Sequence, residues 1–213
     1  MKIDDILIKQ LKNWWDINGL EEAIIRDNTD KVLKFFYHNI KDINAKRCEN
    51  LTRENPINPL HSVQWAVFLY KFSYLLFLDG HEKLASQVYY LNKIMHSNDW
   101  FYEVELPMHF YAEHPLGSVL GRAKYGDYFF IYQGCTVGGN RGGYPEIGKH
   151  VLMFSDSKIL GLSKIGDNVI VSANTYIKDE DVPSNVIVFG QSPNLCFKPL
   201  GQNAKLLDIW KCE

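Results

Sequence analysis

Residues 146–178 read EIGKHVLMFSDSKILGLSKIGDNVIVSANTYIK, and within them Ile147, Met153, Ile159, Ile165, Val171 and Ile177 stand six residues apart. An α-helix repeats every 3.6 residues and a strand every two, so neither alone gives this spacing. A six-residue beat belongs to a parallel β-helix, in which each hexad forms one side of a coil. With 46% of the chain apolar, six hits in six arise by chance in about one register in a hundred, so the other columns matter. Four residues beyond the apolar position stand Val151, Ser157, Ser163, Val169 and Thr175, all small or β-branched, as strands require. Glycine follows the apolar residue in Ile147-Gly148 and Ile165-Gly166, which reads as a tight turn.

Upstream, Val119, Tyr125, Ile131 and Val137 keep the same beat. It slips only across Gly138 to Glu146, where GGNRGGYPE adds four residues to one hexad. Four glycines and a proline exclude a strand, so 138–146 is predicted to be a loop pushed out of the coil, a usual place for binding residues. With three hexads to a coil, about three to four coils fit between Val119 and Pro183.

The repeat fills only the C-terminal part of 213 residues. Helical spacing appears over 3–15 and 21–39, and the apolar run Val63–Leu78, broken by Gln64, Lys71 and Ser73, is shorter than a bilayer span of ~20 residues and reads as a buried helix. Asp79-Gly80 ends it, and a fourth helix is predicted from Glu82 to about His96. The loop Asn55-Pro56-Ile57-Asn58-Pro59 precedes the third helix. The expected organisation is therefore α+β: a helical domain over 1–100, a β-helix over 101–200 that begins with a strand at Val104-Glu105-Leu106-Pro107, and a tail over 201–213. Within that tail, 204–210 is predicted to be a short helix, and Val186 to Pro193 is predicted to leave the coil.

With 23 basic and 25 acidic residues the formal net charge is −2, without a block of one sign, which argues against nucleic-acid binding and against an anionic-membrane anchor. A small neutral or zwitterionic substrate suits this balance. The start lacks the apolar run of a signal peptide, and Cys48, Cys135, Cys196 and Cys212 lack metal spacing, so the expectation is a reduced, cytoplasmic protein with no metal. The aromatic run Tyr125, Tyr128, Phe129, Phe130 and Tyr132 cannot all point inward. Its outer members are expected to be buried against a neighbouring subunit or against the helical domain.

A helical N-terminal half, a hexapeptide coil, and between them Glu113-His114-Pro115-Leu116-Gly117 and Tyr132-Gln133-Gly134-Cys135-Thr136-Val137-Gly138-Gly139 together resemble the serine acetyltransferase family of hexapeptide-repeat acyltransferases. That resemblance implies a left-handed β-helix, acetyl-CoA as co-substrate, and a homotrimer or a pair of trimers. It implies that His114 is the general base, taking the proton of a hydroxyl as it attacks a thioester. It also implies a carboxylate behind the ring; Glu105 in Val104-Glu105-Leu106-Pro107 is the candidate, about one hexad closer to the histidine than in the family, with Glu103 as rival. Glu113 stands where the family has a substrate-contacting aspartate.

The family's loop ends in an Asp-Arg-His triplet that contributes to serine recognition, and this chain has Arg141 and Tyr144 in a shortened loop instead. Arg141 would pair with an acceptor carboxylate or stand as a solvated charge, and Tyr144 would hydrogen-bond to an acceptor or stack on a sugar. Matching hexads to the family's cofactor-lining columns gives Gly139, Asn140, Ser155, Gly161 and Ser172, with Lys198 to meet a phosphate. The rival activity is acetyl transfer to a sugar hydroxyl or amino group, and the rival to any enzyme is a coil kept as an interaction module.

Overall fold

The structure is a computed structural model that describes residues 2–40, 43, 51, 52 and 56–210. Cys48, Cys212 and Asn55 lie outside the described residues, as do 211–213 of the tail. Four helices come first: α1 (Ile3–Lys12), α2 (Gly19–Ile40), α3 (Ser62–Leu78) and α4 (Glu82–His96). α2 starts earlier than its apolar spacing suggests because Asn18 and Glu21 cap it reciprocally, each backbone N–H donating to the other's side-chain oxygen at 3.0 Å. α3 is buried continuously from Val63 to Ser73, as a helix apolar on every side must be. Asn92 ties it to α4 and to the strands: its Nδ2 donates to Ala66 O at 2.9 Å, and its Oδ1 accepts from Asn98 Nδ2 at 3.2 Å.

From residue 99 the chain winds as a left-handed parallel β-helix. Strands are numbered in chain order. One face stacks β2 (Phe110–Ala112), β5 (Phe129–Ile131), β8 (Val151–Met153), β11 (Val169–Val171) and the start of β14 (Val186–Gln191). The second stacks β1 (Asp99–Trp100), β3 (Val119–Leu120), β6 (Thr136–Gly138), β9 (Lys158–Leu160) and β12 (Tyr176–Lys178). The third stacks β4 (Lys124–Tyr125), β7 (Glu146–Ile147), β10 (Lys164–Ile165) and β13 (Asp181–Val182).

All six residues of the quoted beat are buried, and so are all five of the second column. The two buried serines of that column are satisfied locally. Ser157 Oγ donates to Phe154 O and Ser163 Oγ to Leu160 O, both at 2.7 Å, so a serine closes its own corner without needing water. Gly126, Gly148 and Gly166 are needed for close approach rather than for a left-handed turn. A Cβ on Gly148 would lie 2.6 Å from the carbonyl of Gly166 in the next coil.

Several expectations need correction. Val119 is exposed, and Leu120, which pairs with Val137, is the buried residue of β3. Val104–Pro107 is not a strand. It is an extended linker held to α3 by side chains: Tyr70 Oη donates to Val104 O at 2.5 Å and accepts from Leu106 N at 2.8 Å, and Lys71 Nζ donates to Pro107 O at 2.8 Å. The coil begins instead at β1. Val186–Gln191 does not leave the coil, since β14 pairs in parallel with β11 and then folds back antiparallel as β15 (Asn194–Pro199), which closes the open end. The short helix of the tail is a 3₁₀ helix over Gly201–Leu207, and Trp210 beyond it bridges to Ile43.

Within the aromatic run Phe129 and Phe130 are fully buried in their own chain, and Tyr125, Tyr128 and Tyr132 are half-buried. At one corner His109, Tyr128 and His150 stack face to face at 4.4 and 4.3 Å, with Trp210 edge-on to the first two. His150 is therefore half-buried.

Candidate active site

Strand register shows how His114 is presented. Between β2 and β3 lie residues 113–118, whereas the corresponding corners after β5, β8 and β11 hold 132–135, 154–157 and 172–175, two residues fewer. Backbone bonds locate the extra pair. Glu113 N donates to Ile131 O just as Tyr132 N donates to Met153 O, which sets Glu113 over Tyr132. Gly134 N donates to Leu116 O just as Asp156 N donates to Gln133 O, which sets Leu116 over Gln133. His114 and Pro115 are the insertion. His114 adopts φ +50°, a conformation uncommon for a residue with a Cβ, and its side chain is exposed.

Below this bulge the same edge continues as two columns. One runs Glu113, Tyr132, Phe154, Ser172, with the Tyr132 and Phe154 rings stacked at 5.2 Å; the other runs Leu116, Gln133, Ser155, Ala173. Of the candidate residues, His114, Glu113, Ser155 and Ser172 thus share one edge.

The loop lies on the other edge of the second face. Residues 139–145 connect β6 to β7, four more than the three residues between β9 and β10. Asn140 and Gly143 exchange backbone hydrogen bonds at 2.9 Å, and the two residues between them, Arg141 at φ +49° and Gly142 at φ +83°, form the tip of a two-residue hairpin. Arg141 therefore projects from a tight, ordered turn. A Cβ on Gly139 would lie 2.6 Å from the Tyr144 ring, so that glycine is required by the tyrosine. Asn140 packs beside Gly161 and reaches Asp179, whose carboxyl lies below the usual range because Leu162 N–H donates to it, with smaller help from Lys178 and Asn140. Beneath the hairpin is a depression of about 370 Å³ lined by Arg122, Lys124, Tyr144, Glu146 and Leu162 among others. Lys198 lies on β15 with its ammonium 5.3 Å from the ring of Phe189, the residue that follows Ser172 in the first column, since Ser172 N donates to Val188 O.

Three carboxylates are candidates to orient the histidine. Glu103 binds Arg122 at 3.0 Å, which draws it to the loop's edge. Glu105 is exposed in the linker, in the field of Lys71, Tyr70 and Tyr74; among the described residues no hydrogen bond joins it to His114. Asp99 was passed over as a boundary residue, yet β1 pairs Asp99 with Val119, and Asp99 N donates to Ser118 O at 2.8 Å. Its strand adjoins the His114 corner. Burial would raise its carboxyl, but Lys93 at 2.7 Å and Tyr89 at 2.6 Å hold it below the usual value. The best-formed histidine–carboxylate pair is elsewhere: His109 Nδ1 lies 2.8 Å from Asp127 Oδ2, at the aromatic corner. Among the described residues no group of three metal-ligating side chains converges, and no described helix is long and apolar enough to cross a membrane.

Fold and site together define a hexapeptide-repeat β-helix protein with an exposed histidine heading one edge and a glycine hairpin on the next. Among solved structures it superposes on a serine acetyltransferase in complex with cysteine, with TM-score 0.73 at 17% identity over 99% of this chain and 84% of that one. Similar values hold for the Neisseria gonorrhoeae serine acetyltransferase, at 0.70, 23%, 93% and 79%, and for a serine acetyltransferase in complex with CoA, at 0.70, 19%, 91% and 83%. In sequence it is 38% identical over 85 residues to the serine acetyltransferase of Synechococcus elongatus, a span of 38% of this chain and 34% of that one. The Staphylococcus epidermidis serine acetyltransferase is 41% identical over 85 residues, 38% of this chain and 39% of that one. The match thus spans little more than a third of these curated relatives. No known family profile matches the chain.

Proposed function

We propose that this protein is an acetyl-CoA-dependent O-acetyltransferase that acts on L-serine. The observation that carries the reading is the two-residue bulge that holds His114 out at the head of the edge bearing Ser155 and Ser172. The similarity to serine acetyltransferases, one of them in complex with CoA, supports both substrates. In this mechanism the acetyl-CoA arm lies along the edge. Ser155 and Ser172 leave room for it beside the backbone, with Gly139, Asn140 and Gly161 of the facing edge closing over it. Lys198 offers a point charge to a phosphate. His114 takes the serine proton during attack on the thioester carbon and returns it to the departing sulfur. The carboxylate that fixes its tautomer is Glu105 by motif or Asp99 by strand register; Asn and Gln variants of the two decide between them. Glu113 receives the serine ammonium, and Arg141 or the Tyr144 hydroxyl receives its carboxylate.

The His114 edge and the hairpin edge flank one face, roughly 10 Å of strand apart at ~3.3 Å per residue, so one chain does not close the cleft. A homotrimer, with the hairpin of one copy meeting the His114 edge of the next, completes it; pairing of two trimers through the helices is compatible with that arrangement. The unpaired, exposed Cys196 suits a reducing cytoplasm. Release of CoA thiol from acetyl-CoA, measured with L-serine and with His114→Ala as control, tests the reading. Serine-dependent release lost in the variant is expected, and release unchanged by the substitution would overturn it.

A further inference from the structure

Gln133 opens the run Gln133-Gly134-Cys135-Thr136-Val137-Gly138-Gly139, and the mechanism above does not use it. It lies below Leu116, which closes the His114 bulge, and above Ser155, where Asp156 N donates to Gln133 O at 2.9 Å. Gln133 is thus the first residue of the edge beneath the base. Stacked strands are about 4.8 Å apart, so a thioester carbon within reach of a hydroxyl held at His114 lies over this position, with the rest of the coenzyme arm continuing past Ser155.

The amide is oriented. Oε1 is buried with no partner among the described residues, whereas Nε2 is not among the buried unpaired atoms and donates to no described protein group. An amide oxygen left buried and unpaired lowers stability. An apolar side chain in this column, such as Leu116 above it, carries no such cost. The open end of the amide thus offers an N–H₂ group on the edge just below the His114 bulge.

We infer that Gln133 is a further catalytic residue, donating a hydrogen bond from Nε2 to the thioester carbonyl oxygen; this rests on the acetyl-transfer reading. As the acceptor oxygen bonds to the carbonyl carbon, His114 takes its proton and the carbonyl π pair moves onto oxygen, where the Gln133 N–H stabilises it. The pair then returns, the carbon–sulfur bond breaks, and the proton passes from His114 to sulfur. The products are an acetyl ester and CoA thiol, and the amide is unchanged.

The test uses the full-length protein with Gln133→Met and Gln133→Glu. For Gln133→Met, kcat is expected to fall about 10²–10³-fold, the usual effect of losing one oxyanion donor. KM for acetyl-CoA should stay within about threefold and the pH profile should be unchanged, because the base remains. Gln133→Glu should be slower still, since a carboxylate repels the oxyanion; a merely space-filling role would treat the two alike. A readout independent of any acceptor is the ratio of acetyl-CoA to CoA affinity by thermal shift, which should fall in Gln133→Met while CoA affinity holds. If Met prevents folding, Gln133→Asn withdraws the donor by one methylene and is read in the same way. Turnover of Gln133→Met within threefold of wild type, beside an inactive His114→Ala, overturns the role of Gln133 alone. Wild-type protein that binds neither CoA nor acetyl-CoA, or an active His114→Ala, overturns the acetyl-transfer reading and this inference with it.

Discussion

Lys71 sits in the middle of α3, buried, with its ammonium 2.8 Å from Pro107 O, 3.5 Å from Leu106 O and 5.0 Å from the Phe35 ring centre. Burial pushes its pKa from 10.5 down to about 7, against the weaker opposing fields of Asp127 and Glu105. In the unfolded chain this lysine holds its proton up to about pH 10.5, and in the folded chain only up to about 7. Between those values the unfolded state binds more protons, so stability rises with pH. Below 7 both states are protonated and the penalty is greatest; above 10.5 neither is and the penalty vanishes. At about 1.36 kcal/mol per pH unit, the gain from pH 7 to 9 has a ceiling of about 2.7 kcal/mol, and the two carbonyl acceptors should reduce it to roughly 1–2. Lys71→Met keeps the volume and removes the titration. Urea unfolding of both proteins at pH 6, 7, 8 and 9 and constant ionic strength gives the difference, in which other titrating groups cancel. Lys71→Met should be the more stable partner at pH 6, and wild type should close or reverse the gap by pH 9. A difference constant within about 0.5 kcal/mol over that range would refute the argument.

Gly139→Ala places a methyl against the Tyr144 ring and the Gly143 carbonyl, so KM for serine and KM for acetyl-CoA should both rise severalfold while the unfolding free energy changes little, by less than about 1 kcal/mol; steady-state kinetics with each substrate varied checks this. Asp127 accepts from His109 N and pairs with its Nδ1, both at 2.8 Å, and although burial raises its carboxyl these bonds hold it below 3.8. Asp127→Asn should therefore lose about 1–2 kcal/mol near neutrality, a gap that shrinks as pH falls through the lowered carboxyl pKa, and Trp210 fluorescence should change with it. If neighbouring copies share each site, co-refolded His114→Ala and Arg141→Ala chains, each weak alone, should recover up to about one quarter of wild-type activity, the share of sites with both groups intact in random mixing. No recovery in assembled mixtures would place both groups on one chain's site.

The coil was legible because each hexad repeats one environment many times, so that Ile147 to Ile177 reinforce one another and the four-residue excess at 138–146 stands out against them. His114 was singled out as the candidate base through its neighbours Pro115-Leu116-Gly117. The linker Val104–Pro107 was misread because its alternation is that of a strand, while its backbone partners are the side chains of Tyr70 and Lys71, about 35 residues away in sequence. Val186–Gln191 was misread because Gly190 and Pro193 mark a turn, and the turn comes only after three residues have already paired with β11. Asp99 was missed for a related reason. Resemblance to the family motif pointed to Glu105, with Glu103 as rival, whereas Asp99 becomes a further candidate only through strand register, which pairs it with Val119 across the two-residue bulge.

The same bulge links several of these observations. In a regular coil every corner residue has an equivalent above and below it, and side chains in a column pack on one another as Tyr132 does on Phe154. An inserted pair has no equivalent, so His114 and Pro115 join no column: Pro115 is buried and His114 is left exposed. Pro115 supplies the acceptor for Ser118 Oγ at 2.6 Å, and that hydroxyl in turn accepts from Trp100 Nε1 at 2.9 Å, which anchors the base of the bulge to β1. The insertion thus frees one side chain while its backbone stays fixed to the first strand of the coil. On the facing edge the hairpin achieves the same separation by a different means, with Asn140 and Gly143 closing a neck from which Arg141 alone projects. Both groups protrude from rigid supports on opposite sides of one face, an arrangement with little use within a single chain. In the proposed trimer a second copy would set its hairpin against the histidine edge and turn the pair into a cleft.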